Sequence, residues 1–448
     1  MRPALRVPRA PVPRLPLVPD PFRRIRVPRD LDAVTSVNPG GECDPRDVGM
    51  TADGVERIWR SVRRLYRSGM HPAISLCVRR EGQVVIDRAI GHARGNGPGD
   101  AEDEPRVAAT PATPFGIFSA SKAITAMVVH LLDQRDLLHV GDRVCEYIPE
   151  YGSHGKDAIT IAHVLSHRAG VPNLPSELLD LRYIEDREYI LDALCDARPS
   201  SRPGRLLAYH AISGGYILAE IIQRVTGQGL REVLAEEVLD PLGFRWCNFG
   251  VAEADVDQVA RSYVTGPPVL PPVSTLLRRA LGVPLGDIVE LSNDPRFLTA
   301  VVPAANLITT ADELSRIFEL MRAGGELDGV RIFEPATIRR AITEHSYLEL
   351  DLSLGFPLRY GLGFMLGARW LSLYGPDTEM AFGHLGFTNV LGWADPERAL
   401  SGALLTSGKP ILYAELTDLW DVLRTIGTQA PKVERSALAF EPATGPVR

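Results

Sequence analysis

Apolar residues recur at steps of three and four where the patterned part of the chain begins. Val55, Ile58, Trp59, Val62, Leu65 and Tyr66 alternate with Arg57, Arg60, Arg63, Arg64 and Arg67, which predicts an amphipathic helix from near Met50. Two short apolar runs follow, Ala73 to Arg79 and Val84 to Ile90, broken by Glu81-Gly82. They predict a hairpin at the edge of a sheet. From about 120 to 260 the spacing is helical, with Ile124, Met127, Val128, Leu131 and Leu132 marking one face and Tyr216, Leu218, Ile221, Ile222 and Val225 another. Residues 266–296 hold six prolines around Leu276, Leu277 and Leu281, which predicts an irregular insertion over a surface, a candidate lid. Thr310-Ala-Asp-Glu313 predicts a capping box that opens a helix ending at Gly324-Gly325. Strand-like runs return in Gly361 to Leu366, Met380 to Phe382, Val390 to Ala394 and Gly402 to Thr406, before a last helix carrying Leu416, Leu419, Trp420 and Leu423. Strands at both ends with helices between them predict an α/β (α+β) protein. One sheet takes strands from about 70–92 and 360–410, a mostly helical second domain spans about 123–300, and a cleft lies where they meet.

Composition narrows the function classes. The chain has 448 residues, 45% hydrophobic and 23% charged, the balance of a folded protein with a sizeable core. Its formal charge of −7 gives no electrostatic reason to seek nucleic acid. Cys43, Cys77, Cys145, Cys195 and Cys247 are odd in number, widely spaced and never C-x-x-C, which argues against a disulfide framework and a thiolate metal site and for reduced, mostly buried thiols. No apolar run reaches the ~18–20 residues that a membrane span needs. The first 29 residues contain eight Pro and eight Arg, which break up any secretory apolar segment. Residues 1–48 are expected to form a disordered basic extension, 49–428 the catalytic region and 429–448 a disordered tail. The expected location is cytoplasmic, with peripheral membrane attachment through the Arg-rich arm left open.

Of the 49 basic residues only Lys122, Lys156, Lys409 and Lys432 are lysines. One stands in Phe118-Ser119-Ala120-Ser121-Lys122, directly before a helical pattern. At a helix start, residues i and i+3 share a face, so the Ser119 hydroxyl and the Lys122 amine can come within hydrogen-bonding distance. The helix dipole and partial burial both disfavour an ammonium there and would lower its pKa towards that of a general base. Arg, which stays protonated, could not serve.

The surroundings extend this reading. Thr113-Pro-Phe-Gly-Ile-Phe-Ser-Ala-Ser-Lys-Ala-Ile-Thr-Ala126 resembles the nucleophile helix of the serine β-lactamase and penicillin-binding-protein superfamily, above all its class C-like carboxylesterase (family VIII) branch. Thr160-Ile-Ala-His-Val-Leu-Ser-His-Arg-Ala-Gly170, Tyr209-His-Ala-Ile-Ser-Gly-Gly-Tyr216, Ala304-Ala-Asn-Leu-Ile-Thr-Thr310 and Gly383-His-Leu-Gly-Phe387 resemble further segments of that superfamily in the same order. The resemblance implies a β-lactamase/transpeptidase-like fold, with an antiparallel sheet flanked by helices. It also implies Ser119 as acylated nucleophile, Lys122 as its base, and Tyr209 as the phenol that shares proton transfer with Lys122, a nearby cation easing its ionisation. Backbone N–H groups of Ser119 and Phe387 would form the oxyanion hole, and His384 and Gly386 would touch substrate.

Two departures bear on the substrate. His384 stands where penicillin-recognising members carry Lys, which removes a fixed positive charge suited to a substrate carboxylate. Ala211 stands where they carry Asn, which removes an amide suited to an acylamino group. Both favour a small uncharged carboxylic ester, cleaved through an acyl-enzyme without a cofactor. Acyl transfer, β-lactamase or DD-peptidase activity, and a non-catalytic scaffold of the same fold are the alternatives. His163 and His167 lie four apart like a helical zinc pair, but Val164 replaces the needed Glu, so no metal is expected. The degenerate G-x-S-x-G around Ser213 lacks the flanking pattern of a nucleophile elbow. Ser121 and Ser166 are expected to be hydrogen-bonding neighbours.

Overall fold

The structure is a computed structural model that describes residues 22–172, 180–281, 284–411 and 415–433. In chain order its principal strands are β1 (Thr35–Val37), β2 (Ala73–Arg80), β3 (Gln83–Arg94), β4 (Ser346–Asp351), β5 (Phe356–Tyr360), β6 (Met365–Leu366), β7 (Phe382–Gly386), β8 (Val390–Asp395) and β9 (Leu400–Thr406). They form one sheet in the order β1-β3-β2-β9-β8-β7-β6-β5-β4, with Val107–Ala108 added along β3. Every neighbouring pair is antiparallel. The join between chain ends is the pairing of β9 with β2, Leu400 opposite Arg80 through Thr406 opposite Ile74, so the hairpin and the C-terminal strands share a sheet as expected.

The helices that matter here are α1 (Ala52–Arg67), α2 (Ser121–Gln134), α3 (Arg187–Asp196), α4 (Ser213–Thr226), α5 (Ala311–Arg322) and α6 (Leu416–Gln429). The sheet lies between α1 and α6 on one face and α5 on the other. All eight positions of β2 are buried: Ala73 and Cys77 join the core on the α5 side, while Ile74, Leu76 and Val78 join α1 and α6. Alternating side chains each meet a covered face, which is why this strand reads as continuously apolar. The α5-side core runs on into the helical part, where α2 is buried from Ser121 to Asp133. Its marked apolar face is only part of a helix enclosed all round.

Several expectations are corrected. β2 is internal, and β1 covers β3 from outside. Residues 22–48 are structured: besides β1 they hold 3-10 turns at Asp32–Val34 and Pro45–Val48 and bury Ile25, Leu31 and Val48. The arm's remaining residues, 1–21, lie outside the described residues, as do 434–448 of the expected tail. At the start of that tail Ala430 is buried and Lys432 pairs with Asp377 and Glu397. The Pro-rich insertion is helical in part, with short helices at Val273–Leu281, Leu285–Leu291 and Pro295–Thr299. Helix α5 does begin with Thr310 accepting the Glu313 N–H at 3.2 Å. The Glu313 carboxylate, however, accepts from Arg245 and Trp246 instead of closing the box. The five cysteines are unpaired, but Cys43, Cys145 and Cys195 are only half-buried. Among the described residues no helix is long and apolar enough to cross a membrane.

Candidate functional site

Ser119 sits in a 3-10 turn, Phe118–Ala120, that runs directly into α2. Phe118 has a φ of 49°, a left-handed conformation that a bulky residue holds only where its surroundings fix it. Here Phe118 packs against Phe387, ring centroids 5.4 Å apart, and lies under the Lys409 ammonium nitrogen at 4.8 Å. Ser121 ties the turn further, donating to the Phe118 carbonyl at 2.5 Å and accepting from the Leu307 N–H.

Lys122, one residue into α2, is buried. Its Nζ donates to Ser119 Oγ at 3.1 Å and to the Ala304 carbonyl at 3.0 Å. Burial alone pulls the amine down to about 7, because an ammonium in a dry site loses its hydration and no carboxylate among the described residues answers it. The Ala304 carbonyl is itself held. Asn306 donates to the carbonyls of Phe297 and Ala300 and accepts from the Val302 N–H, 2.7–2.8 Å each, which folds 297–306 into a rigid loop. A Cβ on Gly215 of α4 would stand 2.8 Å from Ala304, so glycine is required for helix and loop to meet.

Tyr209 closes the other side, with Lys122 Nζ 4.8 Å above its ring. The cation lies over the ring face, and burial dominates: the phenol is pushed well above its usual value, only partly opposed by the Ser119 hydroxyl beside it. The expected ease of ionisation is therefore corrected, since Lys122 is the group that deprotonates near neutrality. The Tyr209 backbone N–H donates to Asp351 Oδ1 at 3.1 Å. That buried carboxylate also accepts from Ser353, Leu354 and the Tyr360 hydroxyl at 2.9–3.2 Å, so the β4–β5 hairpin fixes where Tyr209 stands.

Strand β7 supplies the remaining wall. Gly386 lies so near the Phe118–Ala120 turn that a Cβ there would be 2.2 Å from the Ile117 carbonyl oxygen. This close approach, with the Phe387 ring against Phe118, sets the end of β7 against the turn that carries Ser119. Strand β6 pairs with β7 only at Phe382 and Gly383, which leaves the edge from His384 onward open. His384 is buried, donates from Nδ1 to the Leu385 carbonyl at 2.7 Å, and is driven by burial down to about 3. Ala211 is buried after Tyr209.

The structure thus brings Ser119, Lys122 and Tyr209 together, with His384 within electrostatic reach of Lys122 and with Gly386 and Phe387 against the turn that carries Ser119. It also places beside them residues to which the sequence reading gave no part in this site. His167 lies 4.7 Å from the Tyr209 ring and 5.1 Å from Tyr360, and His210 stacks behind it at 5.8 Å. Burial holds His167 well below its usual value and His210 at about 4. The position of His167 in the matched Thr160–Gly170 segment was the available signal; Asp351 had none. His163 caps its own helix, its Nδ1 accepting from the Thr160 N–H at 3.2 Å, and Ser213 donates to the Val171 carbonyl. Ser166 bonds back to Ala162.

Known proteins resemble the chain over most of its length. The chain is 29% identical over 383 residues to "Esterase/beta-lactamase LipL" of Mycobacterium tuberculosis, a match covering 80% of this chain and 83% of that one. Among solved structures, a penicillin-binding protein homologue from Caulobacter crescentus superposes with a TM-score of 0.72 at 26% identity, covering 85% and 99% of the two chains. A family VIII carboxylesterase gives 0.71 at 26% identity, covering 84% and 98%. With the Beta-lactamase family model matching residues 62–421, the chain belongs to the β-lactamase family.

Proposed function

We propose that the protein is a serine hydrolase that cleaves uncharged carboxylic esters through an acyl-enzyme on Ser119. The observation that carries this reading is the buried Lys122 amine, without a counter-ion among the described residues, 3.1 Å from the Ser119 hydroxyl. With its pKa near 7, a good fraction of this amine is free to take the hydroxyl proton as Oγ attacks the ester carbonyl. The carbonyl oxygen then becomes an oxyanion, received by the backbone N–H groups of Ser119 and Phe387. Tyr209, neutral at working pH, donates a proton to the departing alkoxide, and Lys122 returns one to the phenol. Water then repeats the attack on the acyl-enzyme with the same groups, releasing the acid and restoring Ser119.

The ester preference is supported by what faces the open edge of β7. A neutral His384 offers no cation to a β-lactam or peptide carboxylate, and Ala211 offers no amide to an acylamino side chain. Two relatives are named esterase or carboxylesterase. The test compares p-nitrophenyl acyl esters with a chromogenic cephalosporin, for wild type and a folded Ser119→Ala variant. Ester turnover that vanishes in the variant, with little cephalosporin cleavage, is expected. Fast cephalosporin cleavage would overturn the substrate, and ester turnover surviving in the variant would overturn the nucleophile. No turnover of either would favour acyl transfer to another acceptor or a scaffold.

A further inference from the structure

We propose that the β4–β5 hairpin, with the segment packed beside it, is a docking surface for an anionic lipid layer, from which the ester substrate is drawn. The identity of the cleaved bond rests on the ester-hydrolase reading; the docking itself does not. The hairpin exposes large apolar side chains in close succession: Leu348 (38%), Leu350 (53%), Leu352 (52%), Leu354 (36%) and Phe356 (41%), with Leu206 (38%) alongside. Single exposed leucines are ordinary on a folded protein, but a run of them on the outermost strand and its turn marks a contact surface.

The patch stands at the site. The Leu352 N–H donates to the Leu207 carbonyl at 3.0 Å, two residues before Tyr209, and Asp351 between the exposed leucines holds the Tyr209 N–H. Arg168 bonds both the Gly204 carbonyl and Glu349, fastening the 204–207 segment to β4. An apolar chain leaving a lipid layer at this hairpin is therefore a neighbour of the Tyr209 wall.

Charge identifies the occupant. The hairpin's acidic groups are consumed internally: Glu349 pairs with Arg168, Glu344 before it pairs with Arg359, and Asp351 is buried. Exposed cations fringe the patch, and they outnumber Glu379, an exposed acid on the loop after β6. Arg202 and Arg205 flank Leu206, and each lacks an ion-pair partner among the described residues. Arg369, on the loop after β6, is exposed likewise and lies 5.4 Å over the ring of Trp370, itself 81% exposed. An apolar patch with a cationic fringe, and an aromatic ring capped by a guanidinium, match the acyl and headgroup levels of an anionic lipid surface.

The full chain is mixed with phosphatidylcholine vesicles with and without phosphatidylglycerol, and binding is read by flotation. The expected result is binding that phosphatidylglycerol strengthens and that the triple variant Leu206→Glu, Leu348→Glu, Leu350→Glu weakens roughly tenfold or more. Turnover of a short water-soluble ester should be unchanged, while turnover of a long-chain ester carried in the vesicles falls. Should the triple variant misfold, Arg202→Glu with Arg205→Glu and Arg369→Glu predicts the same loss from the charged fringe. Absence of wild-type binding, equal binding by folded variants, or a dimer that the leucine variant splits without any vesicle binding would overturn the proposal. Vesicle binding lost in the variants without hydrolysis of any ester would sustain docking and overturn the ester reading, so the two failures are separable.

Discussion

The lysines of this chain illustrate how one residue type takes different work from its surroundings. Lys156 and Lys122 both donate to backbone carbonyls, but only Lys122 also reaches a serine hydroxyl. Replacing it by Arg keeps a charge and removes the base, since a guanidinium does not give up its proton. Lys122→Arg is expected to lower kcat/KM by roughly a hundredfold to ten-thousandfold while the protein stays folded, which steady-state kinetics with circular dichroism would show. In wild type the amine must be unprotonated to act, and its pKa of about 7 places the acidic limb of the pH profile there. Activity should fall as pH drops below that value and level off above it. A profile flat between pH values of about 5 and 9 would exclude Lys122 as the base. Ser119 and Lys122 were legible in the sequence because their relation is local, three residues apart at a helix start. The protonation of Tyr209 was not, because burial and the side of the ring on which the amine lies are tertiary facts.

At the level of elements, the site is assembled by close approaches that sequence alone announces only as glycines and small residues. β7 is pressed to the Ser119 turn at Gly386, and α4 to the Ala304 loop at Gly215. The β4–β5 hairpin acts at a distance through Asp351, whose carboxylate satisfies three backbone N–H groups and the Tyr360 hydroxyl. Asp351→Ala would leave these groups without their acceptor. A destabilisation of roughly 3 kcal/mol or more is expected by urea titration. A drop in kcat of roughly ten- to a hundredfold should accompany it as Tyr209 shifts. Wild-type kcat in a destabilised but folded variant would show that the hairpin does not position the phenol. The missed capping interaction of Glu313 belongs to the same scale: the local motif was read correctly, but the 245–246 backbone competes for its carboxylate.

For the whole molecule, the N-terminal region has a structural part that its composition hides. Residues 22–48 read as the end of a Pro- and Arg-rich arm, yet Ile25, Leu31 and Val48 are buried with α1 and β1 extends the sheet. A chain beginning at Thr51 should lose about 1.5–3 kcal/mol for each of these three side chains. Its thermal unfolding should drop well below that of the full chain. An unchanged midpoint would mean that the segment contributes nothing. Composition averages over many residues and misses three well-placed apolar ones; burial counts each.

The sequence by itself determined α1, α2, α5 and α6 and the runs that become β2, β3, β8 and β9, because periodicity, capping residues and turn glycines act over a few positions; β1 and the β4–β5 hairpin were not among them. It also determined the Ser119–Lys122 pair and the five segments by which the family could be recognised. Only the tertiary structure decided that β2 is central, that Tyr209 keeps its proton, and that Asp351, Asn306 and His167 stand behind the site. Those outcomes depend on which faces meet across the sheet and on how much water is left between them. Strand order and desolvation are set by pairings hundreds of residues apart, such as Thr406 with Ile74, and no local pattern encodes them.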